Sequence, residues 1–149
     1  MTDRQLFPTS AVLLALALAA GPAVADGERE AVERAVLDYV EAIEQARPEL
    51  IERGVHPDLV KIGFYREGEG ADYRLTPMTF DELVELAATF KEKGYVPENP
   101  EHTIDSIDVL DQTASARLSA FWGIDRLHLA KFDGEWKIVQ VLWQSYPPE

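Results

Sequence analysis

The chain has 149 residues, 27 of them acidic against 14 basic, which gives a net charge of −13, and it has no cysteine. That much negative charge repels phosphate backbones and anionic membrane surfaces, so nucleic acid is not an expected partner. The missing cysteine removes disulfides, thiolate metal sites and a cysteine nucleophile.

Residues 1–25 read as a secretory signal peptide. Residues 1–10 are polar with Arg4 as the positive charge, and residues 11–20 are an unbroken apolar run, AVLLALALAA. Gly21-Pro22 interrupts that run, and Ala23-Val24-Ala25 supplies a small-residue cleavage site before Asp26. The run falls within the roughly 7–15 residues of a signal core. It falls short of the ~20 residues a membrane-spanning helix needs. The expected organisation is a signal peptide over 1–25 and one domain over 26–149, periplasmic or secreted, with no membrane attachment after cleavage. Asp3 and Arg4 cancel, so the acidic charge stays on the mature part. Without disulfides that part must hold by packing, and 46% hydrophobic residues in the chain are enough for a core.

In chain order, residues 28–46 predict an amphipathic helix, with Val32, Val36, Tyr39, Val40 and Ile43 at three- and four-residue spacing. Pro48 opens a second, short helix over 49–53, and Gly54 stops it. Residues 55–58, containing His56 before Pro57, read as a connector. Residues 59–65 predict a strand, 67–70 a turn and 73–75 a short return strand. Thr79 and Glu82 form a capping box before a third helix that Gly94 closes. Residues 101–145 read as four strands divided by turns at Asp133-Gly134, Gly123-Ile124 and Asp111-Gln112.

Two-residue turns fix which residues oppose each other, and opposed residues share a face. The three turns predict one inner face containing Thr103, Asp105, Ile107, Val109, Ala114, Ala116, Leu118, Ala120, Trp122, Asp125, Leu127, Leu129, Trp136, Ile138, Gln140 and Leu142. The outer face then holds His102, His128 and an apolar patch of Phe121, Val139, Val141 and Trp143. On the inner face Thr103, Asp105, Asp125 and Gln140 gather beside Trp122. Buried polar groups of this kind need water or a ligand. An apolar hollow with a few convergent polar groups is a binding site in form.

The order helix, short helix, strand, capped helix and four-stranded meander resembles the nuclear transport factor 2-like superfamily, and more narrowly the bacterial lumazine-binding proteins with a polyketide cyclase-like cone. The resemblance is carried by VHPDLV at 55–60, MTFDELVEL at 78–86, HTIDSIDVL at 102–110, ASARL at 114–118 and IDRLHLAKFDGEWKIV at 124–139. It implies an α+β cone, three N-terminal helices on a curved, mostly antiparallel sheet, with a pocket at the open end. It also implies homodimers through the outer sheet face, for which Phe121, Val139, Val141 and Trp143 are the expected contact. Superfamily enzymes place an acid at strand positions like that of Asp125. The resemblance carries over no reaction.

Three functions follow as expectations. The first is an exported, non-enzymatic domain that binds a small apolar or aromatic molecule through Trp122, Asp125, Tyr65, Asp105, Gln140 and Thr103. The second is a cofactor-independent lyase, isomerase or hydrolase with Asp125 and His56 as an acid–base pair. The third is a structural dimeric accessory domain. Three scattered histidines without metal-ligand spacing imply no metal, and nothing implies a cofactor.

Overall fold

The computed structural model describes residues 22–148, with side chains from residue 26 onward. Most of the predicted signal peptide therefore lies outside the described residues. Its last four residues are helical, because α1 spans Pro22–Gln45 and so begins before the expected residue 28. Proline is tolerated in the first helical turn, where its missing N–H has no partner to lose. The apolar run that Gly21-Pro22 was expected to interrupt lies outside the described residues.

Along α1, Val32, Val36, Tyr39, Val40 and Ile43 are all buried, which makes this helix the plug of the cone. Helix α2 (Glu49–Gly54) packs beside it. Asp38 is the polar tie between them: its carboxylate accepts from Arg34 within α1 at 2.8 Å and from Arg53 of α2 at 2.6 Å. Helix α3 (Phe80–Thr89) starts with the predicted capping box, in which Thr79 and Glu82 satisfy each other's backbone N–H groups.

Six strands form one curved sheet in the order β2-β1-β6-β5-β4-β3. Strand β1 (Val55–Tyr65) absorbs the predicted connector and pairs with β2 (Arg74–Met78) on one side and, in parallel, with β6 (Glu135–Gln144) on the other. Strands β3 (His102–Val109), β4 (Thr113–Ala120), β5 (Gly123–Phe132) and β6 form the meander. At the β5–β6 turn both Asp133 (φ 51°) and Gly134 (φ 86°) have positive φ, as a type I′ turn requires.

Three details of register depart from expectation. The β4–β5 turn is Phe121-Trp122, because Ala120 pairs with Gly123. This shifts each strand by two residues, so the predicted faces of β4 and β5 stand. Two bulges do change faces. Asp105 is the extra residue in β3, since Ile104 opposes Leu118 and Ser106 opposes Arg117. Val139 is the extra residue in β6, since Leu129 opposes Ile138 and His128 opposes Gln140. One inserted residue reverses every side chain beyond it.

Candidate functional site

The interior polar cluster is built by α1, β1, β5 and β6. Asp125 of β5 is fully buried, and Lys61 of β1 is 7% exposed. The ammonium Nζ of Lys61 lies 4.0 Å from Asp125 Oδ1. It donates to the hydroxyl of Tyr39, a fully buried α1 residue, at 2.7 Å. The same ammonium sits 5.3 Å from the Tyr39 ring centre and 5.2 Å from that of Trp143. Trp122 donates its indole N–H to Asp125 Oδ2 at 2.8 Å. Asp125 Oδ1 and the Trp143 indole nitrogen are buried without hydrogen-bond partners.

Local sequence explains how a lysine enters the core. Along β1 the side chains alternate, so Leu59, Lys61, Gly63 and Tyr65 share the inner face while Val60 and Phe64 face outward. Gly63 has a steric reason: a Cβ there would fall 2.1 Å from the Trp143 indole nitrogen. The indole lies flat against that bare backbone, which leaves it over Lys61. Tyr65 closes the group, with its ring centre 6.5 Å from that of Trp143. Trp122 also meets Tyr39 edge-on at 6.3 Å and Phe121 at 4.9 Å.

Burial sets the electrostatics. Desolvation raises the Asp125 pKa above the ordinary aspartate value, and the charge of Lys61 and the Trp122 N–H only partly oppose it. Desolvation likewise lowers Lys61, against the pull of Asp125. Tyr39 is raised well above an ordinary tyrosine by its burial and by the Asp125 charge. At 4 Å the attraction is roughly 4 kcal/mol at an effective dielectric near 20. Removing two ions from water costs several kcal/mol each, so desolvation outweighs the pair's attraction. The cluster can therefore take up, release or share a proton more readily than the same groups in water.

Of the residues expected at the site, the fold brings together Trp122, Asp125 and Tyr65. The bulges take the others away. Thr103 opposes Ser119 on the outer face, and Asp105 accepts from Ser119 at 2.6 Å and pairs with Arg117 at 3.3 Å. Gln140 is exposed and faces His128 at 2.8 Å. His102, expected outside, turns inward and lies 3.1 Å from both oxygens of the buried Glu44. The His56–Asp125 dyad is ruled out by distance. His56 accepts from the Asp58 backbone N–H at 3.1 Å and stacks on Phe132 at 4.3 Å. Phe132 is seven residues along β5 from Asp125, roughly 20 Å at about 3.3 Å per residue.

The expected dimer patch is also redrawn. Val141 is fully buried and Trp143 faces the interior, so neither belongs to the outer surface. On β1, β2 and β6 the exposed apolar residues are instead Val60, Phe64, Leu75 and Leu142, with Phe64 opposite Leu75, while Leu110 and Phe132 are exposed elsewhere.

Sequence reasoning missed Lys61, Tyr39 and Trp143 as site residues. One signal was available for Lys61. Its strand alternates with lysine and glycine on one face and valine, isoleucine and phenylalanine on the other. Apolar pattern alone puts the wrong face inward. Only Asp125 on β5, one strand beyond β6, makes the inverted choice intelligible.

Among solved structures, the fold is similar to a protein of unknown function from Silicibacter pomeroyi described as NTF-2 like. That match has a TM-score of 0.67 at 19% identity and covers 82% of this chain and 98% of the other. An NTF2-like protein of unknown function from Shewanella baltica matches with a TM-score of 0.68 at 19% identity, over 83% and 97% of the two chains. A protein from Novosphingobium aromaticivorans named "Putative Scytalone Dehydratase" matches with a TM-score of 0.58 at 16% identity, over 84% and 88%. A comparison with curated proteins finds no match. The cone and these neighbours together make the fold nuclear transport factor 2-like, as the order of elements implied. The family model described as "Putative lumazine-binding" matches residues 27–144, nearly the whole described domain, and the chain belongs to that family.

Proposed function

We propose that this chain is an exported domain that binds a small, planar molecule at the Lys61–Asp125 cluster in the cone. The observation that carries the reading is Asp125 Oδ1. It is a fully buried carboxylate oxygen with no hydrogen-bond partner, held 4.0 Å from a buried ammonium. An unpaired buried acceptor costs about 1–3 kcal/mol, and more when charged. A ligand that accepts from Lys61 and donates to Asp125 Oδ1 relieves that cost. Adjacent C=O and N–H groups on a flat ring have this pattern, and the aromatic walls of Trp122, Trp143 and Tyr65 suit a flat ring. The family description points to the same chemistry, because lumazine is a planar bicycle edged by carbonyl and N–H groups. The signal-peptide pattern of residues 1–25 supports a periplasmic or secreted setting.

Acid–base catalysis is a second reading, and the opposed pKa shifts of Asp125 and Lys61 favour it. In that case the pair is Asp125 with Lys61, since His56 lies at the other end of the sheet. One structural neighbour carries a dehydratase name, which is that protein's property.

Thermal-shift screening of the mature chain, Lys61→Met and Asp125→Asn against planar heterocycles tests the binding reading. Stabilisation of the wild type that is reduced in both folded variants is the expected result. A folded wild type that no compound stabilises leaves a cone filled by its own side chains, which is the structural-domain alternative.

A further inference from the structure

The outer sheet face carries two arginines in direct opposition. Arg117 of β4 pairs across the ladder with Arg126 of β5, and both are exposed. Like charges placed directly opposite each other destabilise a sheet. In a chain of net charge −13 such a pair calls for a reason. Several other cations sit on carboxylates, Arg34 and Arg53 on Asp38, Arg47 on Glu49, Arg74 on Glu67 and Lys131 on Glu28, while Arg29 donates to the Ile107 carbonyl and Arg66 lies over the Tyr73 ring. Arg117 reaches Asp105 at 3.3 Å, and the same oxygen already accepts from Ser119. Among the described residues Arg126 makes no side-chain hydrogen bond or ion pair, and its neighbour on β6 is Leu142.

Around these two guanidiniums the register assembles further donors. Ser106 of β3 opposes Arg117, and Ser115 of β4 opposes His128 of β5. Ser106, Ser115, Arg117, Arg126 and His128 line one hollow of about 250 Å³. That is smaller than the roughly 300–1,000 Å³ of a drug-sized pocket, and suits a single compact group. Each guanidinium offers five N–H donors in a fixed fork, and each hydroxyl can add one more. Donors converging from three strands match an acceptor with oxygens in several directions. A planar carboxylate would use only part of them. The sheet itself separates this hollow from the Lys61–Asp125 cluster, whose side chains point to the opposite face.

We propose that this hollow is a second binding site, for a tetrahedral oxyanion: phosphate, free or as a monoester. Arg117 and Arg126 grip the anion and Ser106 and Ser115 add hydroxyl donors. The bound charge also removes the repulsion between the two arginines. Asp108, which opposes Ser115 and lines the neighbouring hollow, limits the site on one side.

Phosphorus NMR titration of inorganic phosphate and glycerol phosphate with the purified chain at low ionic strength tests this. A saturable shift is expected with the wild type. It should weaken at least tenfold in Arg117→Gln and in Arg126→Gln, with melting temperature unchanged. Lys93→Gln, an exposed cation outside the hollow, controls for net charge and should bind as the wild type does. Tighter binding of glycerol phosphate assigns the site to a monoester, and equal or weaker binding assigns it to the free ion. No saturable shift with the wild type overturns the proposal, as does unweakened binding in both arginine variants. So does self-association that Arg126→Gln disrupts without any phosphate binding, which assigns the arginines to a second copy of the chain.

Discussion

Lys61 and Asp125 face each other at 4.0 Å inside the cone, and neither is satisfied by the other. Lys61 gives its hydrogen bond to Tyr39, and Asp125 takes one from Trp122. Replacing one partner strands the other in a dry interior. Lys61→Met should therefore cost about 3 kcal/mol of unfolding free energy, in the range for breaking a buried pair. The double variant Lys61→Met/Asp125→Leu should recover most of it, because no buried charge remains. Urea denaturation of the four proteins measures the cycle, and a double variant worse than either single one contradicts it.

The two groups also set opposite pH dependences. Burial raises Asp125, so the folded chain keeps this proton where the unfolded chain has lost it. The stability it contributes is full below the ordinary aspartate pKa and is lost as pH rises through the higher folded value. Burial lowers Lys61, so its contribution is full above the ordinary lysine pKa and is lost as pH falls through the lower folded value. Carbon NMR of the Asp125 carboxyl should give a midpoint above that of an ordinary aspartate. Trp122→Phe should raise it further, because the indole N–H that stabilises the carboxylate is gone. A midpoint at or below the ordinary value sinks the desolvation argument.

Gly63 is required by contact. Gly63→Ala puts a methyl 2.1 Å from the Trp143 indole nitrogen, so the ring must leave its place over Lys61. A loss of about 1–3 kcal/mol is expected, as for other overpacked sites. The tryptophan emission spectrum should change with it. An alanine variant with wild-type stability and emission would mean that the indole does not rest on this strand.

The proposed export makes a separate prediction. Expressed in a bacterial host with its own N-terminus, the chain should be recovered outside the cytoplasm beginning at Asp26. Such a product keeps Glu28, which accepts from Trp136 at 2.7 Å and pairs with Lys131 at 2.8 Å, so α1 stays anchored. N-terminal sequencing reads the outcome, and full-length cytoplasmic chain contradicts the signal-peptide assignment.

The parts of this structure that were legible from sequence have local chemistry. The Thr79–Glu82 capping box and the Asp133-Gly134 turn each rest on a few adjacent residues, and both formed as written. The faces of β4 and β5 were legible because alanine and leucine alternate there with serine, arginine and histidine. The bulges at Asp105 and Val139 were not, because a two-residue turn fixes register only until the ladder slips, although beyond Ile138 the alternation of Val139, Val141 and Trp143 with Gln140, Leu142 and Gln144 already favoured the reversed face. In β3 the three-residue spacing of Ile104 and Ile107 was the one break in period two that a bulge explains. At the site, Trp122, Asp125 and Tyr65 were readable as facing the interior, while Lys61 was hidden by an apolar-in assumption that its strand inverts. His56 was chosen for its chemistry, and only the sheet's length separates it from Asp125.

Tryptophan fluorescence titration tests the central claim most directly, because Trp122 and Trp143 flank Lys61 and Asp125. Lumazine and related flat heterocycles should quench the folded wild type saturably, and Lys61→Met and Asp125→Asn should weaken that quenching about tenfold or more while staying folded. Saturable quenching that is unchanged in both variants, or none with any of these compounds, would contradict a ligand site at this pair.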